Sequence, residues 1–197
     1  MKISVSLLQA VLGTFWLSLL TGCLFPLVIL VLARLFFPAM AEGSLVRAGN
    51  VVVGSSLIGQ NFGRPSYFHP RPSAAGAGYD GTSSGGTNLA PANPKLAQDV
   101  GQLAAAYRGE NGLPPQMPLP IDAVTRSGSG LDPDISPENA ALQVPRVARV
   151  RRLDEAVVRR LVAEQTKGRQ FGFLGEPRVP VLALNLALDR LAPPPAL

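Results

Sequence analysis

A single cysteine, a single histidine and three lysines in 197 residues remove several chemistries at the outset. Cys23 alone cannot build an intrachain disulfide framework, and it says nothing of the redox compartment. One histidine, His69, excludes a histidine-rich metal site, and any histidine base would have to be this residue. Its neighbours Tyr67, Phe68 and Pro70 favour a half-buried structural role. None of Lys2, Lys95 and Lys167 follows a G-x-x-x-x-G spacing, so the chain has no phosphate loop. Charge of either sign is missing between Lys2 and Arg34.

That uncharged stretch is dominated by Leu, Val, Ile, Phe and Trp. About 20 apolar residues in a helix cross the hydrocarbon layer, where only internal hydrogen bonding satisfies the backbone. Residues 7–33 are therefore expected to form a transmembrane helix. Leu20-Thr21-Gly22-Cys23 reads like a lipoprotein cleavage box, but cleavage there would leave the apolar run 24–37 at the front of a mature chain. An uncleaved anchor fits better. Pro26 is expected to kink the span, and Gly13, Ser18 and Gly22 suit either a close helix–helix approach or simple tolerance in lipid. Lys2 and Arg34 stand on opposite sides, so the positive-inside rule gives no orientation.

Residues 34–197 have the length of one soluble domain. Their charge is uneven: residues 34–145 carry seven basic and eight acidic side chains, and residues 146–197 carry ten and five. Arg146, Arg149, Arg151, Arg152, Arg159, Arg160, Lys167 and Arg169 would suit an anionic surface, but Asp154, Glu155 and Glu164 interleave as on a solvated helix face. Nucleic acid is disfavoured by the anchor and by the absence of aromatic residues within the basic stretch. Residues 51–94, rich in Gly, Ser, Pro and Asn, read as short strands and turns, with Val51 to Val53 a strand that Gly54 ends. Asn93-Pro94 predicts a capped helix running toward Tyr107 with Gly109 as its stop. Ser136-Pro137 predicts another, kinked or divided at Pro145, and a third amphipathic stretch follows Asp154 and closes at Gly168. The run 181–188 is ambiguous between strand and buried helix. The fold class is α+β.

Candidate chemistry is sparse. Ser127-Gly128-Ser129-Gly130 lacks the strand and helix context of a G-x-S-x-G nucleophile elbow and reads better as a tight loop continued by Asp132-Pro133. The glycines between Gly76 and Gly86 suit either a surface loop or a backbone cradle for an anion. An anchored hydrolase using Ser127 or Ser129 with His69, and an anchored ligand-binding module, stay open. Asp80, Asp132 and Asp134 are candidates for raising local cation concentration, although Asp132 and Asp134 flank Pro133 and also suit a turn.

Several strings in order are far more specific: residues 54–62 (GSSLIGQNF), 67–73 (YFHPRPS), 84–89 (SGGTNL), 127–133 (SGSGLDP), 143–148 (QVPRVA) and 184–189 (LNLALD). Together they resemble the C subunit of the Kdp-type potassium-transporting ATPase, over nearly the whole chain. The resemblance implies a non-catalytic accessory subunit of a bacterial inner-membrane complex that imports potassium at the expense of ATP. Implied partners are a channel-like potassium-binding subunit, a P-type ATPase subunit and a small single-span subunit. It further implies a cytoplasmic N-terminus, an extracytoplasmic domain over 34–197, and a catalytic-chaperone role that raises the ATPase subunit's affinity for nucleotide. ATP is implied through that partner; direct nucleotide contact is the family's alternative description, and this chain shows no phosphate loop, aspartyl-phosphate motif or metal motif that would support it. Arg71 and Arg146 are the expected partner-facing residues, because guanidinium binds a carboxylate in a planar fork. The family strings also imply structural glycines at 54, 59, 85, 86 and 128, with Tyr67 and Phe68 in the core. Pro180 stands where the family commonly has Asn, so a strand there should be at an edge or an end.

Overall fold

The computed structural model of the chain describes residues 2–193, with side chains from residue 6 onward. The side chain of Lys2, whose charge bears on orientation, lies outside the described residues. Two compact units divide near residue 45.

The first unit is helical. Helix α1 (Lys2–Leu19) passes through a five-residue π-helical turn (Leu20–Leu24) into α2 (Phe25–Phe36), and a single turn, α3 (Pro38–Ala41), follows. Residues 6–36 are long and apolar enough to cross a membrane, and none of the window is buried inside the protein. Pro26 explains the π turn. Its nitrogen has no hydrogen and its ring crowds the carbonyl one turn back, at Gly22. The backbone widens, so that the Phe25 N–H reaches the carbonyl of Leu20, while the Thr21 hydroxyl donates to Leu17 O at 2.8 Å. The expected kink site is thus a π insertion within a continuous helix.

The second unit opens with a hairpin, β1 (Leu45–Ala48) and β2 (Val51–Ser55). Gly54 does not end β2; it lies inside it, beneath the side chain of Gln60, which donates to Val53 O. Residues 56–93 then run without helix or strand. Helix α4 (Pro94–Asn111) is capped by Asn93, whose side chain accepts from Lys95 N, and it continues through Gly109. The stop is Gly112, in the left-handed conformation (φ 66°) that C-terminal caps require. A proline-rich connector leads to the short α5 (Ile121–Val124) and to β3 (Asp134–Ile135).

Helix α6 (Pro137–Arg151) begins at Ser136, whose hydroxyl accepts from Asn139 N, and it is not divided at Pro145. The carbonyl that Pro145 leaves unbonded belongs to Ala141, an exposed residue, so water can satisfy it. Helix α7 (Glu155–Gln165) starts from the Asp154 cap and ends three residues before Gly168. Strand β4 (Val179–Pro180) pairs antiparallel with β3, Asp134 opposite Pro180 and Ile135 opposite Val179, before α8 (Val181–Leu191). Pro180 therefore ends its strand, as its missing donor demands.

The run 181–188 is helical because four of its five buried residues, Val181, Leu184, Asn185 and Leu188, repeat at helical spacing. They meet Ala140, Val144, Val147 and Ala148 of α6 and Val158 and Val162 of α7, with Phe68 and Ile135 closing the same core. Mixed α+β is the architecture, with helices carrying most of the buried surface.

Candidate functional site

The core holds an unusual guest: after a turn over residues 64–67, closed by Tyr67 N donating to Arg64 O (3.0 Å), residues 68–69 run against the helices with no strand paired to them. Their backbone groups are met by side chains instead. Phe68 N donates to Asn185 Oδ1 and Asn185 Nδ2 donates back to Phe68 O, both at 2.9 Å. One residue on, His69 N donates to Gln143 Oε1 (2.7 Å) and Gln143 Nε2 returns to His69 O (3.1 Å). Two primary amides, from α8 and α6, thus reproduce the paired donor and acceptor of a neighbouring strand.

Two arginines of α6 complete the clamp. Arg146, 2 % exposed, donates to the carbonyls of Pro65 and Tyr67, to Asn111 Oδ1 and to Gln143 Oε1. Burial pushes its guanidinium below its usual pKa, opposed by the charge of Glu110. Arg151 donates to Ser66 O (2.7 Å), Ala192 O (2.6 Å) and Asp189 Oδ1 (2.7 Å), and its guanidinium lies 4.8 Å over the Tyr67 ring. The half-buried Tyr67 hydroxyl donates to the other oxygen of Asp189, so only Phe68 of the expected aromatic pair is fully enclosed.

Arg146 was expected to face a partner; the structure places it inside, holding its own chain. Arg71 is also engaged internally. It forms a 3.0 Å ion pair with Asp132 and donates to Thr125 O and Thr125 Oγ1. The three aspartates do not converge. Asp134 pairs with Arg178 at 3.0 Å, Asp132 with Arg71, and Asp80 lies in a separate loop, where Thr82 bonds hold its carboxyl below the usual range. Among the described residues no cluster of three or more His, Cys, Asp or Glu side chains is arranged to hold a metal.

The glycine expectation holds where the backbone is crowded. A Cβ at Gly59 would lie 2.5 Å from Asp132 O, whereas Gly85 and Gly128 face open space. The hydrolase pairing finds no geometry. His69 Nδ1 is 2.8 Å from Glu110, and its Nε2 is 3.0 Å from Arg64 O. Ser127 Oγ accepts from Gly130 N and Ser129 Oγ from Leu131 N, fixing their own loop. A cavity of about 230 Å³ beside α8, lined by Lys167, Arg190, Leu182, Leu186, Pro133 and Pro180, is small by the standard of roughly 300–1,000 Å³ ligand pockets.

The family model described as "K+-transporting ATPase, c chain", KdpC, matches residues 7–190. The chain belongs to the KdpC family. Among curated KdpC subunits of potassium-transporting ATPases, that of Koribacter versatilis is 51 % identical over 191 residues, 96 % of this chain and 97 % of the relative. That of Acidobacterium capsulatum is 53 % identical over 182 residues, 92 % and 96 % of the two chains. The Mycobacterium tuberculosis protein is 51 % identical over 174 residues, 88 % and 92 %. These lengths cover both the apolar helix and the clamped domain, so the KdpC likeness is not confined to either unit.

Sequence reasoning missed Gln143, Arg151, Asn185 and Asp189. One signal was available: Ala140, Val144, Val147, Ala148 and Arg151 share a helical stripe, and an arginine on an apolar stripe needs buried acceptors.

Replacing Gln143 by Leu keeps the volume but strands both backbone groups of His69. Denaturant unfolding of the detergent-solubilised chain should show a loss of about 2–4 kcal/mol. Glu110 supplies a pH dependence. The hydrogen bond from His69 holds its carboxyl below its ordinary 4.5, with burial opposing. A depressed folded-state pKa stabilises above the ordinary value and is lost as pH falls through the folded one. Thermal unfolding from pH 6 down to 3 should therefore fall less steeply for Glu110→Gln than for the native protein; parallel curves would remove this role.

Proposed function

We propose that this chain is the accessory C subunit of an ATP-driven potassium importer, contributing assembly and coupling rather than a reaction of its own. The observation that carries this reading is identity above 50 % to KdpC subunits along nearly the whole chain. The apolar helix over residues 6–36, exposed along its length, would dock among partner helices in the bilayer, with Gly13, Ser18 and Gly22 permitting close approach. Its partners would be the potassium-binding channel-like subunit, the P-type ATPase subunit and the small single-span subunit.

The domain after the span is proposed to lie outside the cytoplasm, at the mouth of the potassium-binding subunit in a bacterial inner membrane. It then cannot touch cytoplasmic ATP, and a rise in the ATPase subunit's nucleotide affinity must be coupling transmitted through the complex. Within this reading Asp80 is the remaining candidate for attracting cations, because Asp132 and Asp134 already have arginine partners.

Complexes purified with and without this chain would be compared for potassium-stimulated ATP hydrolysis across ATP and potassium titrations. Omission should raise the apparent KM for ATP or abolish activity, and Asp80→Asn should raise the apparent potassium KM at low ionic strength. Activity unchanged by omission would sink the accessory role; an unchanged potassium KM would remove Asp80 alone. Orientation is read separately, from Ala97→Cys in a Cys23→Ser background. A membrane-impermeant maleimide should label it in intact spheroplasts, and labelling only after lysis would reverse the topology.

A further inference from the structure

One segment of the domain turns its apolar side chains away from the core. Residues 167–178 form a narrow hairpin. Lys167 and Arg178 exchange two backbone hydrogen bonds (2.8 and 2.9 Å), and Gln170 and Leu174 exchange two more (2.8 and 2.9 Å). An ion pair between Arg169 and Glu176 at 2.6 Å fastens the middle, and Arg178 is tied to Asp134 at its base. At the tip Phe171 is 87 % exposed and Phe173 70 %, with Leu174 beside them. Phe171 adopts φ 53°, a left-handed conformation that a bulky side chain disfavours, and Gly172 follows at φ 82°. The tip is thus a braced turn, strained at the residue it displays.

We propose that Phe171 and Phe173 are an aromatic anchor that enters an apolar pocket on another subunit of the potassium-transporting complex. The proposal rests on the accessory-subunit reading above. The charges on the stem favour a protein over a lipid surface. Arg169 and Glu176 neutralise one another and Arg178 is matched by Asp134, which leaves Lys167 as a single further cation on the stem, short of the clusters of about 4–8 that anionic headgroups reward. A second copy of this chain is disfavoured by size. Two phenylalanines bury roughly 150–250 Å² each, so paired tips fall short of the roughly 1,200 Å² of a stable interface. As one anchor among other contacts the tip is well suited: aromatics dominate interface cores, and bracing lowers the ordering cost of binding.

The test uses the full-length chain co-expressed with the other subunits. A photoreactive benzoylphenylalanine in place of Phe173 should form an adduct with one of those subunits in the assembled complex. Adducts with lipid alone, or none, overturn the proposal. Phe171→Gly provides a second reading of opposite sign. Glycine accepts the left-handed backbone, so the chain by itself should unfold no earlier than the native one. The complex carrying Phe171→Gly and Phe173→Ser together should lose this subunit about tenfold faster on washing. Equal retention would count against the anchor. If the native chain fails to co-purify with any subunit of such an ATPase, the accessory-subunit reading fails with it; if it co-purifies while the tip forms no protein adduct, only the anchor fails.

Discussion

A backbone segment packed into a core without a neighbouring strand must find hydrogen-bond partners somewhere, and residues 66–69 set that problem for the whole domain. An orphaned amide or carbonyl in the interior costs about 1–3 kcal/mol, so several together would undo a domain of ordinary stability. The solution uses Asn185 of α8, Gln143 and Arg146 of α6, and Asn111 at the end of α4. Each helix must present its polar group at one register position on an otherwise apolar face. Helix packing and loop path are therefore coupled: α6 cannot slide against α8 without breaking the amide pairs at Phe68 and His69.

Two buried arginines would ordinarily be a liability, because desolvating a guanidinium costs several kcal/mol. Here the geometry offsets much of that cost. Arg151 meets a carboxylate that also accepts from Tyr67, while Arg146 has no carboxylate in contact and relies on two carbonyls and two side-chain amides. Such a network does more for uniqueness than for raw stability, since half-satisfied alternatives are worse than none.

Local signals were legible in the sequence and long-range ones were not. Asn93-Pro94, Ser136-Pro137 and Asp154 each cap a helix with atoms two or three residues away, and all three were readable. Gly109 misled because a glycine within a helix looks like a stop until Gly112, three residues on, offers the left-handed turn. Pro145 misled because its cost depends on whether Ala141 faces water. The run 181–188 was ambiguous because Val and Leu serve strands and helices alike, and Asn185 shows its purpose only when Phe68, 117 residues away, lies against it. The internal role of Arg146 was hidden for the same reason: two of its acceptors are carbonyls, which every residue carries and no motif marks. The family strings, by contrast, were legible as a set.

The basic final quarter has a physical explanation that bears on recognition. Of its ten cations, Arg146 and Arg151 are buried in the clamp, while Arg159, Arg160, Arg169 and Arg178 pair with Glu155, Glu164, Glu176 and Asp134. A sequence pI near 10 thus overstates the field this domain presents. Pairing mutes the field close to these side chains, although the chain keeps its formal net charge of +5. Among the apolar features that the fold leaves uncovered are the apolar helix of the first unit and the phenylalanine tip of the second. On the accessory-subunit proposal, partner contacts would come from these two apolar features, while Arg146 and Arg151 hold the frame of the domain that carries the tip.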